Sequence, residues 1–168
     1  YGNRSNLDAN VDFQRGIVWS LEQKRGLIRS LIMDLPIGSF YINRFNIYME
    51  QHNGGDIKEL SKIDGILYDG KQRLAAILSF LMGEFSVDYN GEEYYVNNIQ
   101  EGTLKRMLNK SISVYETNFT TKKELLEFYI TINTTQTKHS DEDIKKAQEL
   151  LAGFPNIHKA NKVQDALY

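Results

Sequence analysis

Residues 65–78 constrain the fold more than any other part of the sequence. A short apolar run at residues 66–68 leads into Asp69-Gly70, and the spacing of the apolar residues then changes. Apolar side chains recur at helical spacing from there, at Leu74, Ile77, Leu78 and Leu81. The pattern predicts a buried strand, a tight turn at Gly70 and a helix that runs to about Met82. Gly83 follows where a glycine commonly ends a helix.

The predicted turn places cations where a helix normally favours carboxylates. The first turn of a helix carries unpaired N–H groups and a partial positive charge, yet Lys71 and Arg73 follow Gly70 directly. A phosphate among these groups would satisfy all of them, and a glycine would let the backbone approach it closely. A second interpretation stays open, in which both side chains extend into water or pair with Asp69 and Asp64.

Arg15 is another cation that needs a partner. Its apolar neighbours are Phe13, Ile17 and Trp19. We therefore expect the guanidinium to be partly shielded from water, and a shielded charge requires a counter-charge. The sequence allows either a carboxylate, such as Asp12 or Asp69, or a phosphate in that role.

The composition is that of an ordinary globular domain. The 168 residues are 41% hydrophobic and 25% charged, with two prolines and no low-complexity linker. We expect a single domain over residues 1–168, with a core over about 11–133 and a helical extension over about 140–168. Every apolar run is much shorter than the roughly 20 residues that a membrane-spanning helix needs. We therefore expect a cytoplasmic protein with no membrane partner.

Cysteine content and charge exclude several classes of function. The chain has no cysteine, which excludes disulfides, thiolate catalysis and cysteine-based zinc sites. The net charge of −2 gives no overall attraction to nucleic acid, so a DNA contact needs a local basic patch. Two predicted helices offer candidates, namely Lys24, Arg25 and Arg29 on one and Lys105, Arg106 and Lys110 on the other. Solvated helix faces have the same composition and are the favoured interpretation.

The remaining patterns predict an α+β fold with a small mixed sheet flanked by helices. Residues 39–42 and 112–115 read as strands, and residues 45–49 as a further candidate strand. Asn90-Gly91 between two strand-like runs predicts a hairpin.

Several capping signals place the predicted helices. Capping boxes at Ser20 and Thr121 predict helix starts, and residues 102–108 read as a short helix. The seven polar residues 133–139 are expected to end the helix that begins at Thr121. Ser140 is expected to cap the next helix, and a last short helix is expected over residues 156–167.

Four segments together resemble one known family. They are Phe13-Gln14-Arg15-x-x-x-Trp19-Ser20, Pro36-Ile37-Gly38, Asp69-Gly70-Lys71-Gln72-Arg73-Leu74 and, more weakly, Phe128-x-x-x-Ile132-Asn133. The sequence resembles the ParB/sulfiredoxin-like domain at the N-terminus of GmrSD-type modification-dependent restriction enzymes, which also occurs in SspE-type anti-phage proteins. Two positions depart from the family pattern: Phe13 replaces a tyrosine, and Lys71 replaces a glutamine.

The resemblance implies a nucleotide-phosphate loop at residues 70–73. In relatives the domain binds and hydrolyses NTPs and couples this to DNA cleavage by a separate nuclease domain. The implied catalytic residues are Asp69, Gln72 and Arg73, and the implied phosphate-binding residues are Gln14, Arg15, Gly70, Lys71, Arg73 and Asn133. Mg²⁺ is the implied cofactor, with Asp69 as a candidate ligand. Nucleotide, DNA and a separate nuclease or defence protein are the implied partners.

Two other functions stay open. A stand-alone metal-dependent DNA nickase would need carboxylates near the phosphate, for which Asp69 could combine with Asp64, Asp12 or Asp8. A catalytically silent module that binds DNA or protein is the other alternative.

Overall fold

The computed structural model describes residues 7–8, 12, 14, 16–135 and 141–154. Its elements are α1 Leu21–Ile32, β1 Phe40–Asn43, α2 Ile47–His52, α3 Ile57–Ser61, β2 Ile66–Asp69, α4 Lys71–Leu81, β3 Val87–Tyr89, β4 Glu92–Tyr94, α5 Glu101–Leu108, β5 Val114–Thr117, α6 Lys122–Thr135 and α7 Asp141–Ala152. The predicted α+β fold is confirmed. Within the described ranges, none of the helices combines the length and the apolar character that a membrane span requires.

A three-stranded sheet in the order β2-β1-β5 forms the centre of the fold. Strand β1 is antiparallel to β2 and parallel to β5. Tyr41 lies opposite Asp69 and Ile42 lies opposite Leu67, so Tyr68 is an extra residue in β2. Such a bulge bends the strand and changes the direction of the chain that follows. Here it directly precedes the turn at Gly70.

Side chains alternate across this sheet, and each face is therefore covered by its own apolar cluster. The cluster on one face includes Phe40 and Leu67 of the sheet with Ile28 of α1 and Ala76 and Phe80 of α4. The cluster on the other face includes Ile66 and Tyr68 with Leu125 and Leu126 of α6 and Ala147 of α7. The sheet thus separates α1 and α4 from α6 and α7.

Short-range signals predicted the element starts well. Gln23 N–H donates to Ser20 Oγ at 3.3 Å while Ser20 N–H donates to Gln23 Oε1 at 2.8 Å, which completes the predicted capping box. Glu124 N–H likewise donates to Thr121 Oγ1 at 3.2 Å. The hairpin between β3 and β4 is confirmed, because its two turn residues have φ of 57° and 79° as a two-residue primed turn requires.

One sequence-based prediction is wrong. Residues 45–49 do not form a strand, because Asn46 initiates α2. Its Oδ1 accepts a hydrogen bond from Met49 N–H at 3.2 Å, and its backbone carbonyl accepts one from Glu50 N–H at 3.1 Å. Helix α6 ends at Thr135, within the polar run at 133–139 that was predicted to end it, and includes the first three residues of that run. The hydroxyls of Thr131 and Thr134 donate to carbonyls four residues earlier, at 2.8 and 2.9 Å, so these polar residues fit inside a helix. Ser140 and the predicted helix over 156–167 lie outside the described residues.

Asn43 fixes the end of β1 to two other segments. Its side chain is fully buried, and Nδ2 donates to the carbonyls of Ile63 and Phe119 at 2.8 and 2.9 Å. Oδ1 accepts from Phe119 N–H at 2.9 Å and from Thr117 Oγ1 at 3.0 Å. A buried amide with all of its partners satisfied favours a single arrangement of the surrounding chain.

We predict that Asn43→Leu lowers the free energy of unfolding by about 2–4 kcal/mol, because it leaves several buried polar partners without hydrogen bonds. Urea denaturation measures the change. Asn98→Leu is the control, since exposed Asn98 also makes two side-chain hydrogen bonds, with Tyr95 N–H and Glu93 O, but water can replace them. Equal losses in the two variants would contradict the role assigned to Asn43.

Candidate functional site

The turn between β2 and α4 brings several of the predicted site residues together. Gly70 is the N-cap of α4 with φ of 103°, and no side chain caps the helix. Leu74 N–H donates to Gly70 O at 2.8 Å, so helical bonding begins at once. Among the described residues, no atom accepts a hydrogen bond from the backbone N–H groups of Lys71, Gln72 and Arg73. We call these three groups the amide cradle, and an anion is the natural ligand for such a set.

Gly70 is required by the packing of the protein itself. A Cβ built at this position would lie 2.4 Å from Cδ1 of Phe40 on β1, and the positive φ disfavours other residues. The sequence predicted a close approach of the backbone at Gly70. The group that it approaches in the structure is the Phe40 ring.

Arg73 is bound by three neighbours. Its Nη2 lies 2.9 Å from Asp69 Oδ2, and its Nη1 donates to the carbonyl of Ile37 at 3.1 Å. The guanidinium carbon lies 5.0 Å from the centroid of the Phe40 ring. The ion pair is largely buried, with side-chain exposures of 15% for Arg73 and 17% for Asp69. Of the two interpretations that the sequence left open, pairing with Asp69 is therefore the one observed for Arg73.

The turn at residues 36–38 makes room for this guanidinium. Gly38 has φ of 82°, and a Cβ there would lie 2.3 Å from Nη1 of Arg73. The other carboxylate oxygen of the ion pair, Asp69 Oδ1, accepts from Gly70 N–H at 2.7 Å. Two of the sequence motifs, Pro36-Ile37-Gly38 and the segment from Asp69 to Leu74, therefore meet around one side chain.

Gln72 connects α4 to the segment that precedes α1. Its Nε2 donates to Gly16 O at 2.8 Å, and its Oε1 accepts from Val18 N–H at 3.0 Å and from Trp19 N–H at 3.3 Å. Both ends of the amide are thus bonded to main-chain groups of residues 16–19. The contacts of Gln72 are those of a residue that positions another segment.

Gln14 makes a second link of this kind. Its Nε2 donates to the carbonyls of Leu67 and Tyr68 in β2, at 3.2 and 2.5 Å. Its Oε1 is buried and has no hydrogen-bond partner among the residues that the structure describes. Gln14 therefore attaches its own position to β2, and Gln72 attaches residues 16–19 to α4. Arg15, which lies between them in the sequence, and Phe13 are outside the described residues.

Lys71 differs from Arg73 in its environment. It is half-buried at the first position of α4, and it makes no ion pair with any carboxylate in the described part of the chain. Asp64, the other partner considered from the sequence, accepts from Phe45 N–H at 3.2 Å. The amide cradle therefore has a positively charged side chain beside it.

Asn133, the last of the predicted site residues, forms its side-chain hydrogen bond within α6 and not at the β2–α4 turn. It is 4% exposed in α6, where Nδ2 donates to Tyr129 O of the same helix at 2.7 Å. No group of three or more His, Asp or Glu side chains suited to a metal ion occurs among the residues that the structure describes.

The basic face of α1 is partly neutralised. Arg25 and Arg29 both bond to Glu22, at 2.9 and 3.2 Å, and these bonds lower the pKa of that carboxyl. Arg25 also donates to Ser86 O at 2.9 Å. These contacts agree with the interpretation of this face as an ordinary solvated surface.

Comparison with known families gives a match over residues 3–150 to the family described as GmrSD restriction endonuclease, N-terminal domain. The matched range includes Gln14, the turn at residues 36–38 and the whole of β2 and α4. No curated protein and no solved structure matches the sequence.

We predict that Asp69 and Arg73 are energetically coupled. Arg73→Gln and Asp69→Asn should each lower the free energy of unfolding by about 3 kcal/mol, because each leaves a mostly buried charge without its partner. The double variant should lose clearly less than the sum of the two, as a double-mutant cycle in urea would show. The exposed pair Glu59–Lys62 is the control, and its cycle should show no measurable coupling. Additive losses at Asp69 and Arg73 would show that the pair does not stabilise the turn.

Proposed function

The chain belongs to the family of GmrSD restriction endonuclease N-terminal domains, and we propose that it binds the phosphates of a nucleoside triphosphate at the β2–α4 turn and hydrolyses the nucleotide. Membership of the family links the chain to DNA restriction. The observation that carries the proposal is the amide cradle, whose three N–H groups have no acceptor among the described residues. A nucleoside triphosphate supplies several anionic oxygens to such a set of donors.

The electrostatics of the turn favour an anion with more than one charge. The partial positive charge of the α4 N-terminus lies beside half-buried Lys71 and the Arg73 guanidinium. Asp69 neutralises the charge of Arg73, so Lys71 and the helix N-terminus are the positive groups that a ligand would neutralise. Neutralising the charge of a transferring phosphoryl group with fixed donors and cations is the main catalytic task in phosphoryl transfer.

Most of the predicted site residues receive a role in this proposal. Asp69 orients Arg73 and so keeps the cradle in one geometry before the ligand arrives. Lys71 and Arg73 neutralise the phosphates, and Gln72 positions residues 16–19 over the start of α4. Gln14 attaches the same segment to β2, so that Arg15 can act as a further phosphate ligand. A contact of Asn133 with the nucleotide stays a prediction.

The described contacts of Asp69 fit an orienting residue better than a metal ligand. Oδ2 bonds to Arg73 and Oδ1 to Gly70 N–H, so both carboxylate oxygens already have a partner in the protein. In the proposal, Mg²⁺ therefore enters as a complex with the nucleotide phosphates, as is usual for this ion. No step of the reaction is assigned to a metal that the protein itself holds.

We predict that Lys71→Ala lowers the affinity for nucleoside triphosphates about tenfold or more, equivalent to about 1.4 kcal/mol. Lys71 is the better test than Arg73, because its loss should not disturb the ion pair that stabilises the turn. Calorimetric titration with each of the four NTPs measures binding, and release of inorganic phosphate measures hydrolysis.

The matched control is Lys58→Ala, which removes the same charge from an exposed position on α3 and should leave both readouts unchanged. Lys71→Arg should retain most of the binding. Binding of Lys71→Ala at the level of the unmodified chain, or no binding of any NTP by the unmodified chain, would contradict the proposal. Metal-dependent plasmid nicking without nucleotide would support the nickase instead.

A further inference from the structure

The two edges of the central sheet differ in how the chain covers them. Asp8 lies beside β2, where its N–H donates to Gly65 O and its carbonyl accepts from Leu67 N–H, both at 2.8 Å. Strand β5 forms the opposite edge and, within the described ranges, pairs with β1 alone. We call the side of β5 that faces away from β1 the β5 edge.

The register of the sheet determines which main-chain groups lie on the β5 edge. Phe40 N–H donates to Ser113 O at 2.9 Å. Because a strand directs its main-chain groups to alternate sides, every second residue from Ser113 to Thr117 bonds to β1. Val114 and Glu116 lie between these residues and direct their N–H and C=O groups outward. In the described part of the chain, none of these outward groups has a hydrogen-bond partner.

The side chains along the β5 edge are exposed as well. Val114 is 48% exposed and Tyr115 is 54% exposed. The Tyr115 ring stacks on Tyr41 of β1, with ring centroids 5.1 Å apart and an angle of 18° between the rings. Apolar side chains beside unpaired main-chain groups form a surface to which another strand can add.

Several of the features that usually keep other strands away from a free edge are missing here. Proline, lysine and bulges are common devices of this kind. Residues 111–117 contain neither proline nor lysine, and β5 pairs with β1 in continuous register. The pairing of β1 with β2 does contain a bulge. The β5 edge therefore has the properties of an edge that is paired.

We propose that the β5 edge binds the same edge of a second copy of this chain, antiparallel about a two-fold axis at Tyr115. In this register Val114 of each copy faces Glu116 of the other, so the outward N–H and C=O groups of both strands form hydrogen bonds. Glu116 is the one charged residue in the segment 111–117. It lies opposite an apolar side chain and not opposite its own copy, where like charges would repel.

A second copy matches the side chains of the edge as well as its main chain. The two Tyr115 side chains face each other in a non-hydrogen-bonded pair, where opposed side chains come closest. Each ring already stacks on Tyr41, so the pairing joins two aromatic stacks on one face of a continuous sheet. An unrelated extended peptide would satisfy the main chain without supplying this ring. Because Asp8 covers the edge at β2, the assembly closes as a dimer and does not grow further.

The test is sedimentation velocity of the 168-residue chain over a range of concentrations and without nucleotide. The β5 edge shares no residue with the β2–α4 turn, so the result is independent of nucleotide binding there. We expect a reversible equilibrium between monomer and dimer. Tyr115→Lys and Tyr115→Glu should each raise the dissociation constant of the dimer at least about tenfold, because each places like charges opposite one another at the axis.

An equimolar mixture of these two variants should form dimers again, since opposite charges then meet at the axis. Such rescue separates a lost contact from lost folding. Val114→Pro removes an outward N–H without breaking a bond to β1, and it should also weaken the dimer.

The matched control is Tyr95→Lys, which adds the same charge at a tyrosine that is 39% exposed and lies outside β5. It should leave the equilibrium unchanged. A chain that stays monomeric at every concentration, species larger than a dimer, or a mixture of the Tyr115 variants that does not recover dimers would overturn the proposal.

Discussion

The ion pair between Asp69 and Arg73 is the interaction on which the candidate site depends. It joins the end of β2 to the first turn of α4, and the guanidinium extends the link to the carbonyl of Ile37 and the ring of Phe40. Both charged groups are largely removed from water, so each requires the other. The pair therefore determines where the amide cradle lies before any ligand binds.

This arrangement changes how the sequence motifs are understood. Gly38 and Gly70 are glycines because a Cβ at either would collide with Arg73 or Phe40, and Gln72 bonds to the main chain of residues 16–19. Much of the shared signature thus specifies the scaffold of the turn. Among the described residues of the turn, the groups without a hydrogen-bond or ion-pair partner in the protein are the main-chain N–H groups of the amide cradle and the side chain of Lys71, one of the positions at which this chain departs from the family pattern.

Local signals in the sequence predicted local structure, and the errors arose where a different interaction prevailed. The strand, turn and helix around Gly70 were predictable from the spacing of the apolar residues and from the position of the glycine. Residues 45–49 were misassigned because the cap at Asn46 outweighs a short apolar run. That Phe40 packs against both Gly70 and Arg73 could not be predicted, since residues some 30 positions apart meet only through the pairing of β1 with β2. The same limit applies to the bonds of Gln72, whose partners are more than 50 residues away.

We propose above all that the amide cradle at the start of α4 binds the phosphates of a nucleotide. The most direct measurement is a titration of the ¹⁵N-labelled chain with a nucleoside triphosphate, followed through its amide resonances. The account predicts saturable shifts that are largest at Lys71, Gln72 and Arg73, with inorganic triphosphate causing similar shifts. Resonances of these three amides that stay unmoved while others shift, or no shift anywhere, would contradict it.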